Sequence, residues 1–368
     1  MVTAFELEEA VREARARTGV PGVVAGISTA GKVEVAADGV LALGSDDPVR
    51  TDTPFRIASI TKSFTAALCF ACLEPDERVR ALLGHTAGLR CDSCKPLPEK
   101  AQGLFSYSNS GYIEAGNAAA AACGTSFDAA LAERVLAPLG LDATAFDERP
   151  RPARGHVQDG ETGHRLVPSD LYRADRHAAG GLWSTAADLL TYGSAQMAAS
   201  NPAHEPHVEA LGAHYAYGWW VRELADGRTA IDHEGSVAGY QSLLLLVPAD
   251  GFALAVLTNS WRGSGLIRRV VERLGLVPRV GSSTTASGVE GTYVLDSMSA
   301  IVERNGAKLI VTERDVDPVT GDESLLRYPV SDVGDGVYAF ARGALMSHRL
   351  DFPRPGVARI GWAALSAR

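Results

Sequence analysis

The chain has 368 residues, of which 46% are hydrophobic and 21% charged, and this excludes both global disorder and a miniprotein held together by disulfides. Its 35 Lys and Arg residues stand against 44 Asp and Glu, for a net charge of −9. That balance argues against broad affinity for nucleic acid or for an anionic membrane surface. The length predicts about two domains.

The sequence indicates neither membrane insertion nor export. The best apolar runs, at 64–73 and 243–247, fall short of the ~18 residues that a spanning helix needs. The N-terminus begins with an acidic amphipathic stretch and not with a basic region followed by an apolar one. We therefore predict no signal peptide and a cytoplasmic location.

Hydrophobic periodicity and turn residues predict a first domain in which strands from both chain ends enclose a helix-rich middle. In chain order, the predicted elements are a helix at 5–17, a hairpin of 23–28 and 32–37, helices from 55 to about 100 and at 115–139, a hairpin of 241–247 and 252–258, and a helix at 265–274.

A smaller second domain is predicted after residues 281–288, whose small polar composition suits a flexible linker. The domains are thus 1–280 and 289–368, the latter a small antiparallel β-domain. Its signals are hairpin turns at Asn305-Gly306 and Asp335-Gly336 and further short strands at 348–352 and 358–362. The predicted fold class is α/β (α+β).

The strongest chemical signal is Ser59-x-x-Lys62. Positions i and i+3 share one helix face, so the amine of Lys62 would lie beside the hydroxyl of Ser59. A serine nucleophile needs an adjacent base, and lysine can be that base when burial or a nearby cation lowers its pKa, whereas arginine cannot. Only five of the 35 cations are lysine. The alternative is a helix-capping serine followed by a solvated lysine.

Tyr107-x-Asn109 is the second candidate. A tyrosinate held by cations can take or relay a proton, and an asparagine can hold a substrate amide through both its donor and its acceptor. The alternative is a turn rich in Ser, Asn and Gly with an anchoring tyrosine, and the segment on its own favours that turn.

The third candidate is the run at 232–236, which contains His233, Gly235 and Ser236 and is predicted on an edge strand leading into 241–247. A histidine beside a glycine there would present a polar group and an open backbone N–H to a ligand. A lone histidine is more often a surface residue or a satisfied core residue.

Taken together and in this order, Ser59-x-x-Lys62, Tyr107-x-Asn109 and His233-x-Gly235 resemble the serine β-lactamase-related, penicillin-binding-protein-like family. The segments at 82–89, 179–189 and 217–220 look like landmarks of the same family, and the resemblance spans about residues 10–275. It implies an antiparallel sheet built from both chain ends, flanked by helices, beside a helical subdomain. The chain departs from the family in its short interval between Ser59 and Tyr107, where relatives usually carry a longer insert.

Carried over residue by residue, the resemblance implies that Ser59 is the acylated nucleophile. Lys62 and Tyr107 would share the work of base and proton shuttle. No cofactor is implied.

The same resemblance assigns the substrate-binding residues. Asn109 would position the acyl-side amide of the substrate, and His233 would steady the proton network or the leaving group. The backbone N–H groups of Ser59 and of Ser236, which follows Gly235, would form the oxyanion hole.

Four cysteines read Cys69-x-x-Cys72 and Cys91-x-x-Cys94, a spacing that matches a structural zinc pattern. We favour the interpretation without a metal ion, in which Cys69 and Cys72 are small buried residues of an apolar helix. Cys91 and Cys94 would then line the site entrance or pair reversibly, and Cys123 would lie in the core.

The 289–368 segment resembles the small lipocalin-like β-domain appended to some family members, including certain D-amino-acid peptidases and stand-alone peptide-cyclising thioesterases. Such a module can narrow access to a site or add a recognition side chain. Arg342, Arg349 or Arg359 could reach toward a substrate carboxylate. A structural or dimer-forming appendage is the alternative.

Three functions are consistent with these residues. The first is a serine hydrolase or acyltransferase acting next to D-configured residues, either a D-amino-acid peptidase or a nonribosomal-peptide cyclase. Its partner would be a small peptide or acyl substrate, or a thioester-linked peptide on a carrier protein. The second is a carboxylesterase on small acyl esters, and the third is a catalytically silent penicillin-binding-like sensor, against which the presence of the motif residues argues.

Overall fold

A computed structural model describes residues 2–159, 163–168, 173–197, 201–279, 288–295, 298–306, 308–316, 323–334, 337–339, 349–360 and 363–367 of the chain. Two β-structures dominate these ranges: an eight-stranded antiparallel sheet and a closed eight-stranded barrel. Helices pack on both faces of the sheet. This architecture confirms the predicted mixed fold class, including the antiparallel β-structure toward the C-terminus.

The large sheet is built from both ends of the region that precedes the barrel, as predicted. Its strand order is β2-β1-β14-β13-β12-β11-β10-β9. The central strands are apolar along most of their length, because helices cover both faces of the sheet. The strands are β1 (Gly22–Thr29), β2 (Lys32–Gly39), β9 (Val208–Ala210), β10 (Ala213–Tyr215), β11 (Trp220–Glu223), β12 (Thr229–Val237), β13 (Tyr240–Val247) and β14 (Phe252–Thr258).

Seven α-helices lie in the described ranges: α1 (Ala4–Thr18), α2 (Thr61–Cys72), α3 (Glu77–Leu83), α4 (Asn109–Cys123), α5 (Phe127–Leu131), α6 (Ala186–Gln196) and α7 (Gly263–Arg273). The predicted first helix begins at a capping box between Thr3 and Glu6 and ends at Gly19, whose φ is 67°. Helices α1 and α7 cover one face of the sheet, while α2, α4 and α6 belong to the core on the other. None of these helices is long and apolar enough to span a bilayer.

The predicted helices from 55 to about 100 are present only in part, as α2, α3 and two 3₁₀ turns. Proline and glycine divide it, and Asp76 starts α3 afresh by accepting the N–H of Val79. The additional elements are β3 (Phe55–Arg56) paired with β8 (Trp183–Ser184), β4 (Leu89–Arg90) paired with β5 (Ser93–Pro96), and 3₁₀ turns at Ala58–Ile60 and Glu99–Ala101.

The predicted helix at 115–139 begins earlier and is interrupted. Ser108 caps α4 by accepting the N–H of Gly111, and α4 ends at Gly124. The rest continues as α5, a π-helical turn (Ala132–Leu136) and a 3₁₀ turn (Ala137–Leu139). Further elements are the hairpin of β6 (His156–Asp159) and β7 (Gly163–Leu166) and 3₁₀ turns at Ala174–Ala179, Pro202–His204 and Pro248–Asp250.

The barrel strands are β15 (Gly291–Leu295), β16 (Met298–Asn305), β17 (Lys308–Val316), β18 (Glu323–Gly334), β19 (Val337–Ala339), β20 (Arg349–Arg354), β21 (Val357–Ile360) and β22 (Ala363–Ala367). The predicted Asn305-Gly306 turn joins β16 to β17, with Gly306 at a φ of 61°. Asp335, Gly336 and Arg342, as well as the predicted linker except for Gly288, lie outside the described residues. The proposed division into two domains stays a prediction.

The barrel packs against the α/β region through a buried junction. Asp351 and Arg359 form an ion pair at the junction, and the Asp351 carboxylate also accepts the N–H of Leu211 at 3.0 Å. Arg349 donates to the carbonyl of Leu211 at 3.0 Å, and Arg359 donates to the carbonyl of Glu209 at 3.0 Å. Arg349 therefore binds the turn between β9 and β10, and Arg359 binds β9 itself, whereas the sequence predicted that they could reach a substrate carboxylate.

Candidate active site

Ser59 lies in the 3₁₀ turn Ala58–Ile60, which leads directly into α2. The residue before it, Ala58, has a φ of 46°, a left-handed conformation that a residue with a side chain rarely adopts. Ile57 is held on both sides, since its N–H donates to Leu182 at 3.0 Å and its carbonyl accepts the Ser242 hydroxyl at 2.9 Å. The surrounding structure thus fixes the turn that presents Ser59.

The amine of Lys62 is completely buried, and three oxygen atoms surround it. Its Nζ lies 3.2 Å from Ser59 Oγ, 2.7 Å from Asn109 Oδ1 and 2.5 Å from the carbonyl oxygen of Ala179. The two shorter contacts are to oxygens that can only accept, whereas the serine hydroxyl can donate. A neutral amine placed here spends its two N–H groups on the carbonyl oxygens and directs its lone pair at the Ser59 hydroxyl.

Burial lowers the pKa of Lys62 from 10.5 to about 7. Smaller effects come from Cys91 and Asp92, which raise that pKa, and from Arg176, which lowers it. An amine with this pKa is neutral in a large fraction of molecules near neutral pH. The pair of Ser59 and Lys62 can therefore work as nucleophile and base.

Asn109, at the start of α4, connects Lys62 to the entrance of the site. Its Oδ1 accepts from Lys62, and its Nδ2 donates to Asp92 Oδ1 at 3.0 Å and approaches Cys91 Sγ at 3.5 Å. Asp92 also forms an ion pair with Arg176.

The ring of Tyr107 packs directly over the Lys62 amine, with 4.7 Å between the ring centroid and Nζ. The ring of His85 also packs against that of Tyr107, with 4.2 Å between their centroids. His85 Nδ1 accepts the N–H of Ser108 at 2.9 Å, so this histidine fixes the backbone next to Tyr107. Burial lowers the pKa of His85 well below its ordinary value, which keeps the ring neutral.

His233 lies on β12, and its ring centroid is 6.4 Å from that of Tyr107. Its Nδ1 lies 2.6 Å from the carbonyl oxygen of Glu234, and its Nε2 lies 3.2 Å from the hydroxyl of Tyr215. Because a carbonyl can only accept, Nδ1 carries the proton and Nε2 accepts from Tyr215. Burial lowers the pKa of His233 to about 3, so it is a neutral hydrogen-bonding group at pH 7.

The prediction that His233 lies on an edge strand is wrong, because β12 lies between β11 and β13 inside the large sheet. The ladder between β11 and β12, however, ends at the pair of Trp220 and Asp232. From His233 onward the register with β13 continues to Val237. One side of this stretch therefore faces the site although the strand itself is internal.

Gly235 brings β12 into close contact with the segment that precedes Ser59. A Cβ atom at this position would lie 2.1 Å from the carbonyl oxygen of Ile57 and 2.2 Å from Ser242 Oγ, which only glycine avoids. Ser236 follows at an exposed position, where its hydroxyl accepts from Gln241 at 2.8 Å. The backbone of β12 and the turn carrying Ser59 are thus adjacent, and the oxyanion hole remains a prediction.

Cys69 is a buried residue of α2, as predicted, but Cys72 and Cys123 are not the separate buried residues that the sequence predicted. Cys72 is bonded to Cys123, so it is not available as a zinc thiolate, and Cys123 is a disulfide partner at the edge of the core. Cys69, Cys91 and Cys94 are free. No group of three or more His, Cys, Asp or Glu side chains in the described ranges is placed to hold a metal ion.

Comparison with known proteins identifies the family of this site. The model of the beta-lactamase family matches residues 7–275. The chain belongs to the beta-lactamase family. It is 25% identical over 311 residues to Penicillin-binding protein 4 of Amycolatopsis lactamdurans, a match that covers 65% of this chain and 81% of the relative. This confirms the resemblance carried by the three motifs.

This beta-lactamase family member is also similar to solved structures, and some of those similarities include the barrel. SurE has a TM-score of 0.74 at 24% identity over 99% of both chains, and a structure of SurE with D-Leu has a TM-score of 0.71 at 23% identity. A class C beta-lactamase from Rhodobacter sphaeroides has a TM-score of 0.62 at 20% identity and covers 73% of this chain and 98% of its own.

Several residues of this beta-lactamase-like site were not singled out from the sequence. His85 falls in the family landmark at 82–89, which could have revealed it. Asp92, Arg176 and Tyr215 have no local motif around them and reach the site only through the fold. The carbonyl of Ala179 contributes through its backbone, which no residue type reveals.

Proposed function

We propose that this protein is a serine acyltransferase or hydrolase that forms an acyl-enzyme on Ser59 with peptide substrates containing D-amino acids. The observation that carries this proposal is the buried Lys62 amine, whose Nζ lies 3.2 Å from Ser59 Oγ while burial lowers its pKa to about 7. Membership of the beta-lactamase family supports it.

In the proposed first step, Ser59 Oγ attacks the carbonyl carbon of an amide or thioester and transfers its proton to the neutral amine of Lys62. The oxyanion that forms would be stabilised by the backbone N–H groups of Ser59 and Ser236. The tetrahedral species then collapses, the bond to the amine or thiol leaving group breaks, and that group takes a proton. Tyr107 would relay this proton from Lys62, and His233, as a neutral hydrogen-bonding group, would steady the proton network or the leaving group.

In the second step, water or an amine attacks the ester carbonyl on Ser59, which releases an acid or a new amide and returns the proton to Ser59. Attack by the N-terminal amine of the same peptide would give a macrocycle. Which acceptor reacts depends on how far water is excluded, and Asn109 would hold the amide on the acyl side of the substrate meanwhile.

Two findings support a peptide with a D-residue at the acylated position. The relative named Penicillin-binding protein 4 covers 65% of this chain, and SurE, whose structure with D-Leu is among the similar ones, matches 99% of it, the barrel included. We propose a thioester-linked peptide on a carrier protein as the substrate for cyclisation, and a D-amino-acid peptide amide as the substrate for hydrolysis.

The test is a panel of substrates that differ in one feature each. Ser59 should be labelled by a fluorophosphonate and by a penicillin, and Ser59→Ala should abolish both labels. Peptidyl thioesters ending in a D-residue should be consumed faster than the L-epimers. Turnover of small nitrophenyl esters alone would indicate the esterase, and absence of labelling on Ser59 would indicate the silent protein; either result contradicts the proposal.

A further inference from the structure

We infer that Asp92 and Arg176, an ion pair at the mouth of the site, are positioning residues that orient the Asn109 amide and balance the charge around Lys62. The inference rests on the proposed function, because it concerns the amine that we propose as the base. Neither residue belongs to the three motifs, and they come from distant parts of the chain.

The orientation of Asn109 follows from what its neighbours can donate or accept. A carboxylate only accepts, so Asp92 binds the Nδ2 of Asn109 at 3.0 Å and leaves Oδ1 to face Lys62 Nζ at 2.7 Å. Without Asp92, the amide could turn by half a rotation and direct an N–H at the lysine. That orientation would take an acceptor away from Lys62, whose lone pair would no longer be directed at Ser59.

Arg176 holds Asp92 in place from the other side of the site. It lies on the 3₁₀ turn Ala174–Ala179, and the last carbonyl of that turn, of Ala179, accepts from Lys62. The side chains of Asp92 and Arg176 are each 27% exposed, so water screens them only in part. The pair thus connects two of the segments that contact Lys62.

The two members of the pair affect the pKa of Lys62 in opposite directions, Asp92 raising it and Arg176 lowering it. The other titratable groups facing the amine carry no charge near pH 7, because burial lowers the pKa of two histidines and raises that of Cys91 and Tyr112. These groups are His85, His233, Cys91 and Tyr112, with the ring of Tyr107 packed above Nζ. Among the described residues that shift the pKa of Lys62, Cys91 is thus a neutral thiol near pH 7, and Asp92 and Arg176 are the charged side chains.

The experiment measures the rate of Ser59 labelling by a fluorophosphonate from about pH 5 to about pH 9 in full-length protein. Asp92→Asn removes the negative charge but keeps an acceptor oxygen, so the pH at half-maximal rate should fall by about one unit. Arg176→Gln removes the positive charge, so that pH should rise by about one unit. The double variant should return close to wild type.

Two control variants separate charge from structure. Arg176→Lys keeps the charge and should leave the midpoint within a few tenths of a unit of wild type. Arg268→Gln breaks an exposed ion pair with Glu272 on α7 and should leave it unchanged. If Arg176→Gln fails to fold, the midpoint of Asp92→Asn still tests the proposal.

The results distinguish failure of the role proposed for Asp92 and Arg176 from failure of the proposed function. Midpoints that shift in the same direction, or a loss of rate that is equal at every pH, would overturn the role of Asp92 and Arg176 while Lys62→Arg remained inactive. Wild-type protein that does not label, or Lys62→Arg that labels normally, would overturn the proposed function itself.

Discussion

Lowering the pH should switch off acylation of Ser59 by protonating Lys62. The proposed base works only as a neutral amine, and burial lowers its pKa from 10.5 to about 7. The rate should therefore rise with pH through about 7 and become constant above it. Below that midpoint, each unit of pH should reduce the rate about tenfold, because the neutral fraction falls by that factor.

The size of the pKa shift measures how much the fold contributes to this step. A shift of this size makes the neutral amine roughly 10³-fold more abundant at neutral pH than in a solvated lysine. It corresponds to about 5 kcal/mol between the two protonation states of Lys62, as an order of magnitude. Complete burial of the amine is the main structural source of this difference.

The assay is the single-turnover labelling of Ser59 by a fluorophosphonate, followed by intact mass across the pH range. Lys62→Arg keeps the charge but cannot supply a neutral amine, so it should lose about 10²- to 10⁴-fold in rate, the usual contribution of a general base. The matched control is Lys95→Arg at an exposed position, which should behave as wild type. A flat pH profile, or near-normal labelling of Lys62→Arg, would refute this reasoning.

Three further substitutions test the support around the site. Tyr215→Phe removes the hydroxyl 3.2 Å from His233 Nε2 and should reduce kcat about tenfold. Because a buried acceptor loses its partner, the variant should also lose about 1–3 kcal/mol in the free energy of unfolding; an unchanged kcat would contradict the role of this contact. Gly235→Ala forces a Cβ to within 2.1 Å of the Ile57 carbonyl and should reduce Ser59 labelling more than tenfold while circular dichroism shows an intact fold. Asp351→Ala leaves the buried Arg359 without its carboxylate and should lower the free energy of unfolding in urea by about 3–5 kcal/mol. A loss below about 1 kcal/mol is what an exposed surface pair would give, and it would contradict this prediction.

The sequence predicted those parts of the fold whose signals are local. A Pro-Ala-Asp-Gly turn joins β13 to β14. The bounds of the two observed strands differ from the predicted ones by one residue at most. The first helix is defined by its own capping box. Part of the error at residues 55–100 is long-range, because β3 pairs with the distant β8 and no pattern near Phe55 reveals that partner. The rest is local: proline and glycine divide the region, and β4 and β5 form a short hairpin.

The same difference between local and long-range signals explains which site residues could be predicted. Ser59 and Lys62 could be placed together because they lie one helical turn apart, and the other motifs were located by their resemblance to a family. The disulfide of Cys72 with Cys123 spans 51 residues, so the nearby Cys-x-x-Cys spacing suggested the wrong partners. Asp92 and Arg176 meet only because two loops converge over Asn109.

The barrel supports the site from a distance, through the turn between β9 and β10. Leu211 and Gly212 in that turn have φ values of 55° and 72°, and a left-handed conformation is unfavourable for leucine. The barrel compensates by binding both backbone groups of Leu211, its N–H to Asp351 and its carbonyl to Arg349. The strand β10 that follows this turn ends at Tyr215, whose hydroxyl binds His233. These contacts hold the backbone that leads to Tyr215, and Tyr215 in turn binds His233. We therefore expect substitutions of Asp351 to lower the rate of catalysis through His233, in addition to lowering the free energy of unfolding.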